Sequence, residues 1–173
     1  VCFSSTLDKI VNNHFGADIR KKKVRTALEA LQNLNENNVN IIILPYPNKD
    51  NHWWVNFKNF ENIFVIGSIS ENYNGVPQAL ILGKQNIEYA AKNMVLLTSE
   101  IQSKDVKKYS SFLLLKNYSI VAEKIIENGK SKIIFSTTVS SKEEIEDKIK
   151  SIENNKFNLE ESPKIMGAYA VFK

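Results

Sequence analysis

Cysteine is almost missing from this 173-residue chain: Cys2 stands alone, so no disulfide closes within it and the fold must rest on its core. A chain of this length buries about 70% of its unfolded surface, which suffices without a staple. The lone thiol fits a reducing compartment, and a cytoplasmic location is expected. Histidine is scarce too. His14, His52 and Cys2 are too scattered to read as metal ligands, so neither metal nor cofactor is expected. Arginine is limited to Arg20 and Arg25, and the net charge of +4 is carried almost wholly by lysine. A bidentate grip on carboxylate or phosphate therefore has few candidates. No apolar run approaches the roughly 18 residues that cross a bilayer, no signal peptide is legible, and no membrane partner is expected. The first residue is Val1, inside what reads as a strand, and residues upstream of it are expected.

What is present is an ordinary globular composition, 43% apolar and 24% charged. Residues 1–4 read as a strand. Ser5-Thr6-Leu7-Asp8 resembles a capping box with Ser5 as N-cap, and Leu7, Ile10, Val11 and Phe15 form one apolar helical face that Gly16 closes. Residues 17–24 predict a short strand whose run Arg20-Lys21-Lys22-Lys23-Val24-Arg25 reads as a solvated edge. No aromatic residue interleaves with that run, so no nucleic-acid partner is expected. Thr26-Ala27-Leu28-Glu29 is a second capping box, ahead of a stripe of Ala27, Leu28, Leu31 and Leu34. Residues 39–44 do not alternate, which suits a strand covered on both faces, and residues 62–68 and 79–82 read similarly, with a loop at 72–75. Residues 86–108 predict a short helix through Tyr89, a strand at 94–98 and a polar linker. Beyond Tyr109 the pattern predicts a strand at 111–116, a helix at 120–128 ended by Gly129, and a strand at 132–139. A helix capped by Ser141, with Ile145, Ile149 and Ile152 on one face, and a strand at 164–172 follow. This β-α-β-α-β order predicts a small ferredoxin-like sheet with helices on one face.

The punctuation carries a family resemblance. The helix closing at Phe15-Gly16, the strand stopping at Pro45-Tyr46-Pro47-Asn48 and the segment Leu80-Ile81-Leu82-Gly83-Lys84 are similar to the prephenate dehydratase domain, where the second of these reads Pro-Ile-Glu-Asn-Ser. The closing Ile165-Met166-Gly167-Ala168-Tyr169-Ala170-Val171 resembles the last strand of the ACT regulatory domain that follows it, usually Val-Leu-Gly-Ser-Tyr-Pro. A closer match is a short region in alphaproteobacterial chorismate mutase proteins, with Asp-Pro-Trp-Trp and a terminal Gly-Gly-Tyr-Ala-Val-Pro. Here these read His52-Trp53-Trp54 and Gly167-Ala168-Tyr169-Ala170-Val171. The resemblance implies an α/β protein: a shortened periplasmic-binding-protein-like (prephenate dehydratase-like) lobe over residues 1–108, then a small ferredoxin-like (ACT-like) α+β domain over 109–173. The lobe that closes over substrate in that family is expected to be mostly deleted.

The departures from the family bear on chemistry. Its loop Gly-Pro-x-Gly-Thr-Phe-Ser shrinks to Ser4-Ser5-Thr6, and the Glu of Pro-Ile-Glu-Asn becomes Pro47 while Asn48 stays. Its catalytic Thr-Arg-Phe falls either on Pro77-Gln78-Ala79, with acid and arginine both gone, or on Ser110-Ser111-Phe112, with Ser110 left as a hydroxyl acid. The first register is preferred, because residues 111–115 also resemble the start of an ACT domain. In the tail, Asn117-Tyr118-Ser119 replaces a phenylalanine-binding Gly-Ala-Leu, and the strand carrying Glu-Ser-Arg-Pro is expected to be absent.

Prephenate loses carbon dioxide and water, so the enzyme must hold two carboxylates and help hydroxide leave. Losing a positioned acid costs about 10²–10⁴-fold. Losing a buried charged partner costs about 2–5 kcal/mol of binding. The expectation is an accessory or regulatory region of a phenylalanine/tyrosine biosynthesis protein, not catalytic by itself, with a chorismate mutase module upstream of Val1. Two alternatives stay open: an active prephenate dehydratase using Ser110, and a non-catalytic module that binds an aromatic acid. The expected ligand contacts are Ser4, Ser5, Thr6 and Asn48 at the carboxyl ends of strands, with Trp53 and Trp54 lining a ring pocket. Plain helix capping competes for the first four, and packing beneath a loop for the two tryptophans. The expected ligands are prephenate, chorismate or phenylalanine, and a homodimer is expected through edge pairing of the tail sheets.

Overall fold

The protein is described by a computed structural model over residues 1–16, 19–70, 76–155, 157 and 159–171; the expected loop at 72–75 lies outside the described residues. Contacts gather the chain into two units, one built mainly from Val1–Tyr46 and Asn56–Glu88, the other from Pro47–Val55 and Tyr89–Val171.

The first unit runs β1 (Cys2–Ser4), α1 (Asp8–Phe15), β2 (Lys22–Val24), α2 (Ala27–Asn35), β3 (Ile41–Pro45), β4 (Phe64–Ile69) and β5 (Ala79–Gly83). Its strands lie in the order β2-β1-β3-β5-β4, with β1 parallel to β2 and β3, and β5 antiparallel to β3 and β4. Ile42, Ile43 and Leu44 are all fully buried, as a strand covered on both faces requires. The chain leaves β1 toward β2, then crosses back to β3. Right-handed crossovers in opposite directions put α1 and α2 on opposite faces. On the α1 side Phe3, Ile43, Ile69 and Ala79 pack with Leu7 and Val11, while α2 buries Ala30, Leu31 and Leu34.

Helix ends follow the local chemistry. Thr26 Oγ1 accepts the Glu29 N–H at 3.1 Å, and Glu29 reaches back to the Arg25 N–H at 3.1 Å. Asn37, at φ 60°, closes α2, with its N–H on the Leu34 carbonyl at 3.1 Å and that of Asn38 on the Asn33 carbonyl at 2.9 Å. Gly16 closes α1 as expected, at φ 72°. The capping box read at Ser5 does not form. Ser5–Leu7 is a 3₁₀ turn, Leu7 precedes α1 without a side-chain cap, and the Asp8 carboxylate pairs with Lys23 at 2.7 Å. The other lysines at and just before β2 are also held internally. Lys21 Nζ donates to Asn12 Oδ1 at 2.6 Å and to the Gly16 carbonyl, and Lys22 Nζ donates to Asn33 Oδ1 at 2.6 Å.

The second unit runs β6 (Asn93–Gln102), α3 (Val106–Leu115), β7 (Ser119–Ile125), β8 (Lys130–Val139), α4 (Lys142–Glu153) and β9 (Leu159–Ala170). Its strands pair antiparallel in the order β9-β6-β8-β7, a ferredoxin-like β-α-β-β-α-β arrangement. Three sequence expectations are corrected here. Residues 111–116, read as a strand, end helix α3, because leucines, which carry no branch at Cβ, favour a helix and Asn117, at φ 61°, supplies its left-handed stop. Residues 120–128, read as a helix, form β7 and a turn: Ile120, Val121 and Ile125 favour a strand, and Asn128 and Gly129, at φ 62° and 69°, turn the chain into β8. The helix expected through Tyr89 is absent; Asn93 holds the Ala90 N–H and carbonyl at 2.8 and 2.7 Å instead.

Candidate functional site

Parallel strands that the chain leaves in opposite directions open a crevice at their carboxyl ends. In the first unit those strands are β1 and β3, ending at Ser4 and Pro45. The pairings Phe3↔Ile43, Leu44↔Leu80 and Pro45↔Ala79 put Ser4, Leu44 and Leu80 on the face opposite Phe3 and Ile43. Tyr46 and Gln78 continue that face two residues further out. Hydrogen bonds fix the Gln78 backbone on both sides: its carbonyl accepts the Tyr46 N–H at 2.9 Å, and its own N–H donates to the Ile69 carbonyl at 2.8 Å. Its side-chain Oε1 is buried and accepts no hydrogen bond among the described residues. At the end of β1, the Ser4 and Thr6 hydroxyls pair at 3.1 Å, and neither Ser4 nor Leu7 makes a side-chain cap bond.

The two units divide the sequence-expected contacts between them. Ser4, Ser5 and Thr6 belong to the first; Asn48, Trp53, Trp54 and Ser110 belong to the second. Asn48 is exposed and spends its Oδ1 on its own loop, accepting the Asp50 and Asn51 N–H groups at 2.8 and 3.0 Å. Trp54 is fully buried and donates Nε1 to the Asn51 carbonyl at 3.1 Å, which is packing beneath a loop; Trp53 is half-buried. Lys132, itself buried, ties that loop to β8 by donating to the Val55 carbonyl at 2.7 Å. Ser110 is half-buried in mid-α3. Residues 111–115, whose likeness to the start of an ACT domain favoured the register on Pro77-Gln78-Ala79, form the second half of α3 instead. Pro77-Gln78 lead into β5, and Ser110-Ser111-Phe112 lies in α3.

Burial raises the Cys2 thiol of β1 above its ordinary range. In the second unit, burial pushes Tyr109 up to about 12, partly offset by its 2.9 Å hydrogen bond with Ser99, and pushes Tyr118 up to about 12. Lys130, 2.8 Å away, and then Gln102 hold the Glu160 carboxyl below its usual range. Among the described residues no grouping of His, Cys, Asp and Glu could hold a metal ion, and no helix is long and apolar enough to cross a membrane. Sequence reasoning passed over Tyr46 as a site residue and treated Gln78 only as a loss. The signal for both was the alternation that puts them in step with Leu44 and Leu80.

No protein-family model matches the chain, and no curated protein matches it in sequence. Solved structures do match. GqqA, described as a novel type of quorum quenching acylase, is similar with a TM-score of 0.71 at 9% identity, over 99% of this chain and 94% of that one. The prephenate dehydratase of Streptococcus mutans gives 0.63 at 14% identity, over 99% and 98%. That of Staphylococcus aureus subsp. aureus Mu50 gives 0.59 at 10% identity, over 98% and 99%. The chain has a prephenate dehydratase-like α/β fold.

Proposed function

We propose that this chain is a non-catalytic, ligand-binding region of a phenylalanine/tyrosine biosynthesis protein, acting beside a chorismate mutase module. One observation carries the reading. In the register preferred from the sequence, Pro77 and Gln78, which lead into β5, stand for the family's Thr-Arg and supply neither an acid nor a cation. Those absences remove about 10²–10⁴-fold in rate and about 2–5 kcal/mol of carboxylate binding. The ferredoxin-like second unit is then the ACT-like regulatory part, pairing with a second copy along β7 in the cytoplasm. Prephenate, chorismate and phenylalanine are the ligands to test.

Incubation with prephenate should give no phenylpyruvate above the solution rate. Thermal shift should respond to at least one of phenylalanine, prephenate and chorismate, since a ligand at 100 times its Kd adds about 2.7 kcal/mol. Dehydration that disappears in Ser110→Ala would establish the active dehydratase instead. No shift from any of the three at millimolar concentration would overturn the binding role.

The likeness to GqqA favours a second reading, acyl-group hydrolysis. A serine nucleophile needs a base within hydrogen-bond reach. Among the described residues, no histidine or carboxylate hydrogen-bonds the Ser4–Thr6 pair. Absence of acid release from an N-acyl amide would dismiss this reading.

A further inference from the structure

The crevice of the first unit contains an acceptor with no donor. Gln78 is not a loose surface amide. Its backbone is clamped on both sides, and its Oε1 is buried without a hydrogen bond among the described residues. Folded proteins leave few such groups, because each costs about 1–3 kcal/mol. The residue as a whole is only partly buried, and the terminal torsion of a glutamine is broad, so a rotation of the amide is enough to bring Oε1 to an entering group. Tyr46 lies beside it, and the Ser4–Thr6 hydroxyl pair lies two strands away on the same sheet, about 10 Å across. We propose that this crevice takes an aromatic amide or amine, whose N–H donates to Gln78 Oε1 while its far end meets the Ser4–Thr6 hydroxyls.

The donor type follows from the acceptor. A carboxylate carries no proton and can only accept, so a ligand offering its carboxylate here leaves Oε1 unfilled and sets two oxygens against each other. An N–H fills it. The opposite amide orientation would bury the NH₂ group and ask for a carboxylate. The two orientations therefore predict opposite ligand preferences. The inference rests on the aromatic ligand-binding role proposed above and names the class that this crevice selects.

The test compares phenylacetamide with phenylacetate on the full chain by calorimetry. The two share ring and length and differ in the donor. Phenylacetamide should bind about tenfold tighter or better. Gln78→Met, which keeps length and removes the acceptor, should erase that preference and raise the ligand-free melting temperature. The side-chain amide resonances of Gln78 in the unmodified chain should move with phenylacetamide and not with phenylacetate, a readout that does not need the variant to fold. Equal or tighter phenylacetate binding, binding of neither probe, still Gln78 resonances, or a preference that survives Gln78→Met would each overturn the proposal. If phenylalanine, prephenate or chorismate binds while phenylacetamide does not, the amide crevice fails and the pathway role stands. The reverse result sinks the pathway role and keeps the crevice.

Discussion

Tyr109 shows how a single residue can be tied to the core by both its ring and its hydroxyl. Its ring is fully buried against Phe112, Phe135 and Phe157, and its hydroxyl meets Ser99 at 2.9 Å. Tyr109→Phe keeps the ring and strands the buried Ser99, and should lower stability by about 1–3 kcal/mol in a denaturant titration. The same burial sets an alkaline limit. Tyr109 and Tyr118 sit at about 12 in the folded chain, above the ordinary phenol value of about 10. Their contribution is whole below the unfolded value and is lost as pH rises from there toward about 12. Absorbance at the phenolate band should show these two ionising late, together with loss of ellipticity; early, unfolding-independent ionisation of both would contradict their burial. At this scale the sequence was partly legible. The packing role of Trp54 was readable, since a tryptophan beside a loop more often packs than binds. Gln78 was not, because an unfilled acceptor is defined by neighbours on other strands.

Elements were legible where side chain and backbone satisfy each other locally. Thr26 and Ser141 cap their helices as their sequences suggest, Ser141 Oγ accepting the Glu144 N–H at 3.3 Å while Glu144 accepts the Ser140 N–H at 2.8 Å. Thr26→Ala and Ser141→Ala should each cost about 1 kcal/mol. Ser5→Ala should leave the denaturation midpoint unmoved, since Ser5 caps nothing. A loss at Ser5 equal to that at Thr26 would restore the rejected capping box. The helix and strand exchanged between residues 111 and 128 have a physical cause. Both stretches are apolar and short, so periodicity does not separate strand from helix. Branching and stop residues do: leucines before Asn117 mark the helix, and isoleucine and valine before Asn128-Gly129 mark the strand.

For the whole molecule, the order of strands and stops carried the dehydratase-like architecture even at 10–14% identity to the solved enzymes. Two misread elements did not destroy the ferredoxin-like expectation, because β6, which lies before residue 109, supplies the opening strand that the exchange removes from the tail. The grouping of the loop Pro47–Val55 with the second unit was not legible, since Lys132, distant in sequence, ties it to β8. If copies pair along β7, light scattering should give the mass of two chains, and Val121→Lys should give that of one. A single-chain mass for the unchanged protein would refute the pairing. The lysines of β2 bear on that outcome. Lys22 and Lys23 are moored to Asn33 and Asp8, and Lys21 just ahead of the strand to Asn12, so this rim keeps its cations and offers no bare ladder to a stranger. The first unit is fenced at this edge, while β7 of the second unit keeps one open ladder for one partner strand, which favours a closed pair over a growing fibril.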